Sequence, residues 1–134
     1  MRKKKEKQPP RPTDVELSIL RVLWAHGSGT VREILNWFNE SRRPEAGYTT
    51  ILKMLQIMTD KGLVARDESQ RPQVYHARLS QEQTQRQLVT ELLDRAFNGS
   101  AKQLVMQALS AGEASEDDLV QIERLLDKLE GGAK

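Results

Sequence analysis

The chain contains no cysteine, which excludes disulfides, thiolate metal sites and cysteine nucleophiles together. Histidine is nearly as scarce, with His26 and His76 only. A metal site would therefore need carboxylates, and no Asp/Glu/His cluster has suitable spacing. Serine, histidine and aspartate are scattered without a nucleophile elbow, there is no glycine-rich phosphate loop, and neither histidine has an acidic neighbour nearby in sequence. No catalytic residue, metal or cofactor is expected, so the chain does not read as an enzyme. No apolar stretch approaches the ~18 residues that span a bilayer, and the opening MRKKKEKQPPRP has positive charge with no apolar run behind it. Membrane insertion is not expected, and the cytoplasm is the expected location. The 134 residues, 37% of them hydrophobic, suit one domain or a small domain with an oligomerisation arm.

What is present is unevenly distributed. The net charge of +2 conceals a front half, residues 1–79, with 15 Lys/Arg against 9 Asp/Glu, and a rear half, residues 80–134, with 6 against 10. A basic front half suggests that it meets a polyanion. The plainer reading is that six of those basic residues sit in the first eleven positions, which leaves the remainder of the front half near neutral. Residues 1–12, rich in lysine and proline, read as a flexible basic arm.

Thereafter the sequence marks its own elements. Thr13 with Glu16, and Thr30 with Glu33, have the spacing of capping boxes, in which hydroxyl and carboxylate satisfy the free N–H groups at a helix start. The first helix carries Val15, Ile19, Val22 and Leu23 on one face, with Leu20 and Trp24 beside it, and stops at His26-Gly27. His26 reads as a helix C-terminal residue. The second helix is striped by Val31, Ile34, Leu35 and Phe38. A polar connection leads to a third helix, residues 48–61, closed by Lys61-Gly62. LVARDE and VYHARL then read as two short strands around the polar loop SQRPQ, with Tyr75, Ala77 and Leu79 alternating against Val74 and His76.

Beyond residue 80, Ser80, Ser100 and Ser115 stand at N-cap positions, and Gly99 and Gly112 stand where helices stop. Helices are expected near 81–98, 101–110 and 116–130. Their apolar residues, including Leu88, Leu92, Phe97, Leu104, Leu109, Leu119, Ile122 and Leu126, are too many for three short helices to bury among themselves. A dimerising helical arm is expected, the alternative being that these residues pack back on the front domain.

The expected fold is mainly α with a small β-hairpin: a winged helix-turn-helix domain over 13–79, followed by a helical dimerisation domain over 80–134. In that architecture the third helix enters the DNA major groove and the hairpin wing lies along the flanking backbone. On a helical wheel Ile51, Met54, Leu55 and Met58 share an arc facing helices one and two. Thr49, Lys53, Gln56 and Asp60 lie opposite, and Thr50, Leu52 and Ile57 flank them, the last two reading better as core or helix-contact residues than as contacts to thymine methyls. Threonine hydroxyls and helix N-terminal amides suit phosphate, while lysine and glutamine can reach base edges. In the wing, residues 66–76, Arg66, Arg71, Gln73 and Tyr75 surround a loop that also carries Asp67 and Glu68. Arg71 at the tip is the natural phosphate or minor-groove contact, against the reading of a solvated hairpin charge.

PTDVELSILRVLW, TVREIL, GYTTILKMLQIMTDKGLVARD and VYHARLS together resemble the penicillinase-repressor family, which includes methicillin-resistance and copper-responsive repressors. The resemblance runs over about residues 12–130 and is most specific in YTTILKML and KGLV. It implies a homodimeric winged-helix repressor of a palindromic double-stranded DNA operator, dimerising through its C-terminal helices and in many members controlled by a membrane-bound sensor metalloprotease. Carried over by position, the DNA-binding set is Tyr48, Thr49, Thr50, Lys53 and Gln56, with the wing around Arg71 and Gln73. Two departures stand out. Gln56 and Ile57 occupy the middle of the recognition helix where many members have arginine, and Gln107-Ala108 replaces the Asn-Phe pair at which penicillinase repressors are cut. The cysteine-rich tail of the copper branch has no counterpart. The competing reading is a winged-helix protein-interaction module without specific DNA binding.

Overall fold

The computed structural model describes residues 10–132, so residues 1–9 of the basic arm lie outside the described residues. The elements are α1 (Asp14–His26), α2 (Val31–Asn39), α3 (Tyr48–Lys61), β1 (Val64–Asp67), β2 (Val74–Ala77), α4 (Gln81–Ala96), α5 (Ala101–Ala111) and α6 (Glu116–Gly132). The described chain is mainly helical with one antiparallel hairpin, as the sequence predicts. Two compact units divide between Val89 and Thr90, inside α4, so the first unit extends past Leu79, the expected end of the winged domain.

Both capping boxes form. The Thr13 hydroxyl accepts from the Glu16 N–H at 3.3 Å while the Glu16 carboxylate accepts from the Thr13 N–H at 2.9 Å. Thr30 and Glu33 exchange the same pair at 3.2 and 2.9 Å. Each box satisfies two donors that a helix start leaves open. At the other end of α3, Gly62 adopts φ 85°, a left-handed geometry that glycine takes without a Cβ penalty, and its N–H closes the helix on Met58 and Thr59.

The first unit has a closed core. Ile19, Leu20 and Leu23 of α1 meet Val31, Ile34, Leu35 and Phe38 of α2, Ile51, Leu55 and Met58 of α3, and Leu63, Val64 and Tyr75 from the hairpin. Three details differ from the sequence reading. The buried face of α1 is Glu16, Ile19, Leu20 and Leu23, while Val15 is 44% exposed; the stripe is rotated by one residue because a charged side chain holds a buried position. Leu52 and Met54 are partly buried and pack against the core, in keeping with the sequence, whereas Ile57, expected in the core or at a helix contact, is 39% exposed. Tyr75, expected at the wing surface, is a core residue; the alternation along β2 turns it inward and His76 outward.

The hairpin pairs Val64 with Ala77, Ala65 with His76, Arg66 with Tyr75 and Asp67 with Val74. Its base is tied to the α1–α2 connection, where the Gly29 N–H donates to the Tyr75 carbonyl at 3.0 Å and the Tyr75 N–H donates to Gly29 at 2.8 Å. A Cβ on Gly29 would lie 2.6 Å from the Trp37 ring, so any larger residue there must displace that indole.

In the second unit the serine caps operate as predicted: Ser115 exchanges hydrogen bonds with Asp118, and Ser100 accepts from the Gln103 N–H. The capping pair of Ser80 and Gln83 forms at the start of α4, in the first unit. α4 stops two residues short of the expected 98 because Asn98 and Gly99 both turn left-handed, at φ 48° and 80°. No described residue of α5 or α6 is buried. No helix among the described residues is long and apolar enough to cross a membrane.

Candidate nucleic-acid interface

α3 divides cleanly by face. Ile51, Leu55 and Met58 are fully buried, whereas Thr49, Thr50, Lys53, Gln56 and Asp60 are exposed and Tyr48, the first helical residue, is 41% exposed. The exposed residues recur at three- and four-residue intervals, so they form one continuous polar edge. Gly47 at the N-cap supplies no side-chain bond to the helix start, leaving the first amides of α3 directed outward.

Two interactions that the sequence did not disclose fix the ends of this helix. At the leading end the Asn39 side chain donates to the Ala46 carbonyl and accepts from its N–H, both at 2.9 Å. These bonds hold the α2–α3 connection one residue before the N-cap. At the trailing end the Lys61 ammonium donates to the Glu16 carboxylate at 2.6 Å. Burial pushes the Glu16 carboxyl up, but the bonds from Lys61 and from Thr13 outweigh it and hold its pKa below the ordinary value. Glu16 therefore caps α1 and anchors α3 with the same oxygen. Only its capping role has a sequence signature; the ion pair spans 45 positions.

The wing places Arg71 and Arg66 outward, with Gln73 half-buried. Its turn is built by Asp67, which accepts from the Ser69 hydroxyl at 2.6 Å, the Ser69 N–H at 3.0 Å and the Gln70 amide at 3.0 Å. The hydrogen bonds from Ser69 and Gln70 lower the Asp67 pKa, so the carboxylate is occupied locally as an Asx-type turn. Arg66 lies 3.8 Å from Glu68, and the Arg71 guanidinium donates to the Glu68 carbonyl at 3.5 Å.

One cation near the edge of α3 went unnoticed in the sequence because it belongs to α2. The Arg32 guanidinium lies 4.8 Å from the centre of the Tyr48 ring. Arg32, Tyr48, Thr30, Leu52, Pro72 and Gln73 border a cleft between α2, α3 and the wing. The sequence-predicted Tyr48 and Gln73 are brought together there, while Arg71 sits apart at the wing tip.

The candidate dimerisation residues fall into two groups. Leu92, Leu109, Leu119 and Leu126 are exposed; Leu88, Phe97, Leu104 and Ile122 are half-buried.

Three helices, a hairpin, and a third helix that buries one face and presents a polar edge define a winged helix-turn-helix protein. The chain belongs to the penicillinase-repressor family, whose model matches residues 12–128; it is a transcriptional regulator of the DNA-binding repressor class, not an enzyme. It is similar to the penicillinase repressor of Bacillus licheniformis, with 21% identity over 124 residues covering 91% of this chain and 94% of that one. Among solved structures it is similar to a MarR family protein from Bacillus stearothermophilus, at 22% identity and TM-score 0.48, covering 90% of this chain and 74% of the other. A MarR family transcriptional regulator from Silicibacter pomeroyi DSS matches at 19% identity and TM-score 0.43, over 89% and 69% of the two chains.

Proposed function

We propose that the protein is a homodimeric repressor that binds a palindromic operator through α3 and the 66–76 wing. The observation that carries this reading is the exposed polar edge of α3, Tyr48, Thr49, Thr50, Lys53 and Gln56, on a helix whose opposite face is locked into the core. Its threonines and open amides suit phosphate oxygens, and Lys53 and Gln56 can reach base edges. Arg71 and Gln73 extend the contact along the flanking backbone. The second element of the reading is the apolar surface of the C-terminal helices, where Leu92, Leu109, Leu119 and Leu126 are exposed and Leu88, Phe97, Leu104 and Ile122 are half-buried. A second copy of the chain offers the same surface, which suits an isologous pairing.

A sensor protease that relieves repression would meet Gln107-Ala108, both exposed on α5, where penicillinase repressors present Asn-Phe. An adjacent gene for a membrane-bound metalloprotease would supply that partner.

The test is an electrophoretic shift with DNA from upstream of the protein's own gene. Wild type should shift it, and Lys53→Ala should still dimerise but bind about tenfold more weakly. Affinity should fall steeply with salt as phosphate contacts release counterions. Binding indifferent to both salt and Lys53, or no shift at low salt, would instead favour a protein-interaction module.

A further inference from the structure

α3 is short of positive charge for a helix that meets DNA. It contains no arginine, Lys61 is held by Glu16, and only Lys53 points outward uncommitted. We propose that Arg32 of α2 supplies the missing cation: its guanidinium, shelved on the Tyr48 ring at the leading end of α3, clamps a DNA backbone phosphate beside the major groove. The proposal rests on the operator-binding reading above and assigns a contact that α3 itself does not contain.

Four observations converge on Arg32. The residue is exposed, and its neighbour Tyr48 is the first residue of α3, so the guanidinium stands where that helix begins. Among the described residues no carboxylate lies within ion-pair distance of it, and the adjacent Glu33 is committed to the Thr30 N–H at 2.9 Å. Its contact with Tyr48 is over the face of the ring, which takes up none of the guanidinium N–H donors in a hydrogen bond. The cleft it borders runs to Pro72 and Gln73 of the wing, joining the two proposed contact regions.

Stacking has a consequence for binding. An arginine already held against a ring loses less side-chain freedom when it takes up a phosphate than a freely rotating lysine does. The planar fork can also give two parallel bonds to one phosphate, which a lysine cannot. Position argues for phosphate over base: Arg32 belongs to α2 and meets α3 at Tyr48, its first residue, rather than along Lys53 and Gln56. Its contribution should therefore be independent of sequence.

The experiment measures binding of the full chain by fluorescence anisotropy to two duplexes of equal length. One is taken from upstream of its own gene and the other is unrelated, and both are titrated over a range of salt concentrations. Arg32→Ala should weaken binding to both duplexes by a similar factor, about tenfold near 0.15 M salt. The slope of log affinity against log salt should shrink by about 0.9, the loss of one phosphate contact. Arg32→Lys should keep the salt slope yet bind more weakly than wild type, and Tyr48→Leu should weaken the wild type more than it weakens Arg32→Ala. Thermal melting of Arg32→Ala unchanged from wild type would establish that the loss is one of contact; should it melt early, Arg32→Lys decides. If Arg32→Ala binds both duplexes as wild type does while Lys53→Ala is impaired, the assignment of Arg32 is wrong and the operator reading stands. A loss confined to the upstream duplex would overturn the phosphate contact in favour of a base contact. Wild type that binds neither duplex would overturn both readings at once.

Discussion

α3 in the winged unit and α6 in the C-terminal unit are built from comparable material. They have 14 and 17 residues, and each carries six large aliphatic or thioether side chains: Ile51, Leu52, Met54, Leu55, Ile57 and Met58 in one, Leu119, Val120, Ile122, Leu125, Leu126 and Leu129 in the other. Yet α3 buries three of its six completely, while α6 leaves Leu129 61% exposed and only Ile122 half-covered. The difference lies in what stands opposite each helix. α3 has α1, α2 and the hairpin across from it; among the described residues of its own unit α6 has nothing that buries it. Full burial of a Leu, Ile or Met side chain is worth roughly 1.5–3 kcal/mol. The winged unit realises that gain within one chain, and on the proposed reading the C-terminal unit realises it on association, which makes its order depend on concentration.

The largest effect should come from the closed core. Leu55→Ala, at a fully buried position, should cost the winged unit about 3 kcal/mol, seen in urea unfolding as a lower midpoint that does not move with protein concentration. A concentration-dependent midpoint would mean that the winged unit also relies on a partner. Next, Leu119→Asp combined with Leu126→Asp should leave that midpoint unchanged but weaken self-association at least about hundredfold, near 2.7 kcal/mol, measured by sedimentation equilibrium. An unaltered dimer would remove α6 from the interface and erase the contrast drawn above.

The smallest effect concerns Glu16. Its folded pKa is lowered, so its stabilisation is fully present above the ordinary glutamate value, about 4.3, and is lost as pH falls from there through the folded value. Lys61→Met should remove about 1–2 kcal/mol, less than for a wholly buried pair because Lys61 remains about a third exposed. It should also flatten the acid limb of the winged unit's stability profile while leaving association of the C-terminal helices untouched. An acid limb that survives Lys61→Met would assign it to other carboxylates.

Local signals carried most of the fold. Capping boxes, C-terminal glycines and serine caps act over three or four residues, so they are visible in the sequence, and every helix but α3, whose N-cap is Gly47, begins where they put it. The polar edge of α3 was legible for the same reason, since helical periodicity alone sorts Thr49, Lys53 and Gln56 from Ile51, Leu55 and Met58. What escaped were pairings between distant positions. Glu16 reads as a capping residue, and nothing local says that its carboxylate also receives Lys61. Tyr75 reads as a wing residue until the hairpin's register against Gly29 is known. Arg32 looks like an ordinary surface charge on α2 until Tyr48 is seen beneath it, and Ile57 looks like core until the three neighbouring positions are seen to fill it.

The two tryptophans sit at opposite ends of β2's attachment. Trp24 donates its indole N–H to the Leu79 carbonyl at 3.0 Å, and the Trp37 ring, stacked in parallel on His26 at 4.2 Å, presses against Gly29. The C-terminal unit has no tryptophan. Intrinsic emission is thus an optical label confined to the wing's two moorings, silent to whatever happens in α5 and α6. Far-ultraviolet circular dichroism sees every helix, so recording the two signals on one sample would separate loosening of the hairpin from melting of the C-terminal helices without any added dye.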